Sequence, residues 1–302
     1  MTRSIILHLT KLESNLKKSY WNTYYCANTL NQLGGKITGS YCKNRWCLVC
    51  NRIRTAVTIN AYRDIINSWH DKQFVTLTIQ NVKAEELSKT IDTMINNFTN
   101  INRAIKRRAL PMKLVRKLEV TYNPISDEYH PHFHIIVEGR EVAELIREEW
   151  LKRYPSPLAL PIAQDIKPCT SETQLLELFK YFTKIISNTS KTKDRNGIYN
   201  KSQFIYINAL DVIFNSIAGK RTFQNYGFKL KVEVEKADEI VTVDADQISS
   251  AEEYTWEWQQ ELTDWINLDT GEGLTGYHPI DALVELFEKS VFINKKPIQL
   301  LE

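Results

Sequence analysis

The sequence predicts an α+β protein, with a central antiparallel sheet flanked by helices and a small cysteine-bearing module ahead of it. Three observations carry this expectation. Residues 74–79 (FVTLTI), 113–122 (KLVRKLEVTY) and about 130–137 are rich in β-branched and aromatic side chains, the pattern of strands. Residues 84–108, 142–153 and 175–186 space apolar side chains three and four apart, as helices with one buried stripe do. Cys26, Cys42, Cys47 and Cys50 all precede these elements.

In chain order, residues 1–65 read as a metal-organised module with Gly34-Gly35 as a turn signal. The spacing C-x15-C-x4-C-x2-C offers four thiolates, enough to close a tetrahedral structural zinc site. Chance packing of apolar cysteines is the lesser alternative for these four, while packing suffices for the leftover Cys169. After the first strand, the helix over 84–108 carries Leu87, Ile91, Met94, Ile95 and Phe98 on one side and ends in Lys106-Arg107-Arg108. Asn123-Pro124 opens a turn between the second and third strands, and Pro155, Pro157 and Pro161 interrupt the pattern after 142–153. Residues 204–218 form a weaker helix candidate, followed by a strand over 226–232. Three domains follow: the module at 1–65, a main domain at 66–235 and an acidic region at 236–302. The last contains Trp256, Trp258 and Trp265, too many aromatics for a purely disordered segment.

Charge divides the chain. The net value of +3 hides 17 acidic residues against four lysines in residues 233–302, and 35 basic against 19 acidic residues before them. A basic body suits a phosphate polymer, because each phosphate it neutralises releases condensed counterions. Arg45, Arg52 and Arg54 beside the cysteines, with Lys106, Arg107 and Arg108, are the candidate nucleic-acid contacts. Solvation of an ordinary surface explains either sign equally well. The acidic region would be repelled by such a polymer and is expected to face away from it or to contact another protein. With 43% hydrophobic and 25% charged residues the chain is not of the disordered class. No run approaches the roughly 20 apolar residues of a membrane span. Ile5-Ile6-Leu7 is too short for a secretory signal, and clustered cysteines fit a reducing compartment, so a cytoplasmic location is expected.

The stretch His130-Pro131-His132-Phe133-His134-Ile135-Ile136-Val137 concentrates the chemistry. Strand side chains alternate, so the three histidines share one face while Phe133, Ile135 and Val137 point to the other. Glu119, between Leu118 and Val120 on the preceding strand, faces away from the core and can lie beside the histidines. Two imidazoles and one carboxylate leave open positions on a divalent ion for water and a phosphate oxygen. Histidines on a solvated strand face are the bland alternative. On the helix over 175–186, Glu177, Tyr181 and Lys184 share the side opposite Leu175, Leu178, Phe179, Phe182 and Ile186. Alone, that is also an ordinary solvated face. Beside a metal that polarises a phosphodiester, a tyrosine becomes a candidate nucleophile.

The motifs Phe74–Thr78, Leu118–Asn123, His130–His134 and Glu177 with Tyr181 and Lys184 occur in the order seen in the rolling-circle plasmid Rep family of small staphylococcal plasmids. The chain resembles that family, within the HUH endonuclease superfamily, from about Cys42 to Lys231. The resemblance implies an HUH endonuclease core and an enzyme that nicks single-stranded or hairpin origin DNA through Tyr181, leaving a 5′-phosphotyrosine and a free 3′-hydroxyl. It implies Mg²⁺ or Mn²⁺ on His132, His134 and Glu119. Glu177 would activate water for the terminating cleavage, and Lys184 would position the phosphate. His130 matches the family's first histidine, with a DNA or supporting role as open as a metal one. The stretch from Cys42 to Cys50 resembles the family's cysteine element, with Leu48 where proline is usual. The alternatives are an HUH transposase or relaxase, a hydrolase without a covalent intermediate, and a zinc-containing DNA-binding protein without catalysis. A host helicase or polymerase is a conceivable partner of the acidic region.

Overall fold

The structure is a computed structural model describing residues 2–33, 36–108, 110–171, 178, 187–193, 199–230, 243–244, 253–259, 261–262, 264–276 and 290–294. The chain divides into two compact units, Met1–Val57 with Thr183–Ile207 and Glu233–Asn294, and Thr58–Phe182 with Asn208–Val232 and Lys295–Glu302. This differs from the three consecutive segments expected from sequence, because strands from the acidic region complete a sheet begun near the N-terminus. Among the described residues no helix is long and apolar enough to cross a membrane.

In the first unit, α1 (Thr2–Thr10) and α2 (Lys17–Tyr24) precede the hairpin strands β1 (Thr29–Leu33) and β2 (Lys36–Gly39); α3 (Leu48–Asn67) begins in this unit, and its residues from Thr58 onward belong to the second. Gly34 and Gly35 lie outside the described residues, but Leu33 pairs with Lys36 across them, as a turn requires. No helix is expected from sequence over Leu48–Asn67, where polar and apolar residues interleave all round and blur any stripe.

The second unit is built on a five-stranded antiparallel sheet. Its strands are β3 (Lys72–Thr78), β4 (Leu114–Asn123), β5 (Glu128–Glu138), β6 (Asp165–Pro168) and β9 (Phe223–Tyr226), in the order β6-β3-β5-β4-β9. The helices α4 (Ala84–Arg107) and α5 (Arg140–Arg153) cover one face. There Phe98 of α4 and Trp150 of α5 both meet Phe133 edge-on, with centroids 5.5 and 5.7 Å away. Acidic Glu85 and Glu86 open α4 and basic Lys106 and Arg107 close it, each sign favoured by the helix dipole at its end. Asp71 fixes the entry to α5: its carbonyl accepts from Gly139 N–H at 2.7 Å and its carboxylate from Arg140 N–H at 2.7 Å.

Arg116 of β4 is fully buried on the same face, its guanidinium 4.5 Å from the Phe133 ring and 5.3 Å from Phe98. It donates to the Arg221 carbonyl at 3.0 Å, and burial holds its pKa below the usual arginine value. Cation–π contact is worth most in such a desolvated place.

The remaining strands are β7 (Ser187–Lys193), β8 (Tyr199–Tyr206), β10 (Val243–Asp244), β11 (Glu253–Gln259), β12 (Asp264–Asn267) and β13 (Ser290–Ile293), with α6 at Ile207–Ile217. In the first unit they give a sheet ordered β10-β2-β1-β11-β12 and a smaller one ordered β13-β8-β7. Two expectations need correction here. The helix expected over 204–218 begins only at Ile207, because Phe204–Tyr206 pair with β7 and β13 instead. The strand expected over 226–232 instead ends at Tyr226. Gly227 has φ +83°, and any Cβ there would collide with the Met112 carbonyl, so the chain must turn off the sheet at a residue only glycine can supply.

Phe133→Ala, which empties a fully buried ring position, is expected to cost about 3–5 kcal/mol in denaturant unfolding. Ile125→Ala, at a position 95% exposed, is expected to stay within about 0.5 kcal/mol.

Candidate metal centres

On β4 and β5, antiparallel pairing sets Glu119 opposite His132 and Lys117 opposite His134. All four project from the face opposite Phe133, since side chains alternate along each strand. The candidate donor atoms of Glu119, His132 and His134 lie within 4.8 Å of one another. His132 is buried, while Glu119 and His134 are partly exposed, so one side of the cluster opens outward.

The ring nitrogens are held from behind. His132 Nδ1 lies 3.1 Å from the His130 carbonyl, which can only accept, so the proton sits on Nδ1 and Nε2 keeps its lone pair. His134 Nδ1 lies 3.3 Å from Thr76 Oγ1 on β3, and its Nε2 faces Glu119 Oε2 at 3.7 Å. In the tautomer whose Nδ1 donates to Thr76 Oγ1, His134 Nε2 is an acceptor too. This donor set fits a divalent ion with open positions. His130 is outside the donor cluster. Burial, with His132 beside it, holds its pKa down to about 4, so it is neutral at neutral pH.

Lys117 is a site residue that the motifs alone do not single out. Its side chain is buried and its Nζ donates to Glu119 Oε2 at 3.2 Å. The available signal was the spacing Lys117-x-Glu119, which puts both on one strand face. Burying this pair removes water from both charges, so each depends on the other for compensation.

The four thiols form the second cluster. Their sulfurs lie within 4.8 Å of one another, with Cys26 Sγ 3.5 Å and Cys42 Sγ 3.7 Å from Cys50 Sγ. Those separations far exceed a disulfide bond of about 2.05 Å. They resemble the roughly 3.8 Å edge of a sulfur tetrahedron around zinc. Shared S–H hydrogen bonds hold the Cys42 thiol well below its ordinary pKa, and the same bonds with burial hold Cys26 well above it. Four sulfurs this close are best compensated by a cation. Leu30 and Trp256 pack against the cluster, with Ile37, Tyr254 and Trp265 at its margin. Cys169 is free and buried.

The basic candidates separate. Arg52 is exposed, as are Lys106 and Arg107 in the last turn of α4. Arg54 is half-buried and donates to Asn51 Oδ1 and the Lys43 carbonyl, at 3.0 and 2.9 Å. The Arg45 carbonyl accepts from the Asn51 side chain. Arg108 pairs with Glu149 at 3.2 Å, alongside Lys152 and Arg153. Tyr181, Glu177 and Lys184 lie outside the described residues; their neighbour Leu178 is helical and buried.

Thr76→Val removes the partner of His134 Nδ1. It is expected to weaken Mn²⁺ binding by about tenfold or more in calorimetric titration, with unfolding midpoint little changed.

The family described as replication protein matches residues 36–272. The protein rep of Staphylococcus aureus is 36% identical over 101 residues, covering 32% of this chain and 44% of that protein. The protein rep of Streptococcus pneumoniae serotype 2 (strain D39 / NCTC 7466) is 27% identical over 191 residues, or 55% and 60% of the two chains. A protein rep from Bacillus sp is 30% identical over 152 residues, or 44% and 49%. The chain thus spans about half the length of the curated relatives it matches. No solved structure matches. With the family covering most of its length, the chain belongs to the Rep replication protein family.

Proposed function

We propose that this protein initiates rolling-circle replication of a plasmid by nicking and rejoining single-stranded or hairpin origin DNA. The observation that carries this reading is the Glu119–His132–His134 cluster, open on one side, in a chain of the replication protein family. In this reading the second unit is an HUH endonuclease core. The Tyr181 phenolate attacks phosphorus, the bond from phosphorus to the 3′-oxygen breaks, and that oxygen takes a proton. The products are a 5′-phosphotyrosine and a free 3′-hydroxyl. Bound Mg²⁺ or Mn²⁺ would polarise the scissile phosphate and stabilise its developing charge. His130 and Thr76 orient the two imidazoles from behind, and Lys117 holds the Glu119 carboxylate beside His134. Glu177, one helical turn before Tyr181, would activate water for the terminating cleavage, and Lys184 would position the phosphate.

The thiol cluster would hold a structural zinc ion, since four sulfurs leave no position for a substrate. Arg45, Arg52, Arg54, Lys106 and Arg107 would supply phosphate contacts. Arg108 is the weakest of that set, being engaged by Glu149. A host helicase or polymerase would be recruited through acidic surface outside the sheet that β11 and β12 complete.

With Mn²⁺ and a labelled single-stranded origin oligonucleotide, the protein is expected to form a denaturation-resistant adduct that Tyr181→Phe abolishes and His132→Ala lowers at least a hundredfold. Absence of an adduct on the replicon's own origin would overturn the nicking reading in favour of a DNA-binding protein. Separately, metal analysis should find one zinc per chain, lost in Cys47→Ser together with several degrees or more of thermal stability.

A further inference from the structure

The outward side of α2 carries exposed aromatic side chains, Trp21 and, just past its end, Tyr25. Ser19, Tyr20 and Thr23 turn inward: Tyr20 and Thr23 are buried, and Asn44 donates to the Ser19 carbonyl and to Thr23 Oγ1, both at 2.9 Å. Thr23 also donates to Cys42 Sγ at 3.6 Å, so the helix is fastened to the thiol cluster. Lys17, Trp21 and Tyr25 fall at i, i+4 and i+8 on the other side, about 6 Å apart along the axis. All three are exposed, Trp21 at 39% and Tyr25 at 59%. Adjoining exposed apolar surface of this kind, rimmed by polar residues, is what marks an interaction site.

The rings are ordered among themselves. Trp21 and Tyr25 lie near-parallel, with centroids 6.2 Å apart and planes 22° from each other. Tyr24 stands edge-on to both, at 5.8 Å from Trp21 and 5.0 Å from Tyr25. Arg3 backs the group, its guanidinium 5.6 Å from the Tyr24 ring and 5.5 Å from Trp258, and donates to Asn28 at 2.8 Å. Lys18 is exposed next to Lys17. Residues 1–57 contain nine Lys and Arg and a single acidic residue, Glu13.

We infer that Trp21 and Tyr25, flanked by Lys17 and Lys18, form a stacking platform for unpaired bases of single-stranded DNA. Exposed π-faces accept any base, and the adjacent ammonium groups answer the phosphates of the same strand. A folded protein partner would have no such need for lysines interleaved with rings. A duplex hides its base faces, so the platform selects single strands and grips them without reading sequence. This inference rests on the DNA-processing reading above and adds to it a binding site apart from the nicking chemistry.

The test uses the full-length protein and a dye-labelled oligothymidine strand, with a duplex of equal length for comparison, in fluorescence anisotropy at several salt concentrations. Trp21→Ala/Tyr25→Ala is expected to weaken single-strand binding by on the order of tenfold per ring, with duplex binding and the salt slope unchanged. Trp21→Phe should keep most of the affinity, and Lys17→Ala/Lys18→Ala should instead lower the single-strand salt slope by about 1.4. The same alanine variant should still form the covalent adduct at saturating oligonucleotide, so loss of the adduct in the parent protein would be a separate failure, that of the nicking reading. Unchanged single-strand affinity in the folded alanine variant would overturn the platform. So would unchanged affinity accompanied by loss of self-association in sedimentation, which would mark the face as a protein contact.

Discussion

The pairing of β4 with β5 is the constraint on which the second unit depends. Each strand carries two chemistries in alternation. On β4, Arg116 and Leu118 face the helices while Lys117 and Glu119 face away; on β5, Phe133 and Ile135 face the helices while His132 and His134 face away. A slip of one residue would carry the histidines into the contact with Phe98 and Trp150 and expel Phe133 to the opposite side. The aromatic packing against Phe133 therefore holds the register, and the register brings Glu119 to His132. Stability and site geometry are two consequences of one alternation.

The first unit is organised by other means. Among the described residues, the buried apolar side chains around its thiols are Ala27, Leu30 and Trp256. Small cores of this kind generally need a staple, and four convergent sulfurs supply one once a cation is bound. The cluster also explains why the first and last parts of the chain meet. Trp256 of β11 packs onto it and donates to Gln32 at 3.2 Å, and Trp265 of β12 donates to the Ala27 carbonyl at 2.6 Å. Trp256 and Trp265 of the acidic region thus belong to a core shared with the cysteines.

Charge in this protein is used in three different settings. The Lys117–Glu119 pair is largely shut away from solvent beside the histidines, so losing either partner would strand the other. Lys17 and Lys18 stand in water next to exposed rings, where their attraction to a polyanion is long-ranged at low salt and screened at high salt. Arg116 is a third case, a cation kept beneath the sheet by two aromatic faces and one carbonyl.

The sequence by itself determined what depends on local period and composition. Alternation over FVTLTI, KLVRKLEVTY and the histidine stretch is a property of neighbouring residues, so β3, β4 and β5 were legible, as were α4 and α5 from their apolar stripes. The side of the sheet that Glu119 and the histidines share follows from the same parity. The thiol cluster was legible because cysteines so close in a chain have few other uses. Only the tertiary structure decided the rest. That Phe204–Tyr206 extend into a strand depends on partners at β7 and β13, far along the chain. That the strand after Phe223 stops at Gly227 depends on the nearness of Met112. That Lys117 grips Glu119, that Arg108 turns to Glu149, and that β11 completes a sheet with β1 all require residues brought together by folding. Periodicity records which side of an element is apolar, whereas the identity of what covers that side is a long-range contact that no local pattern contains.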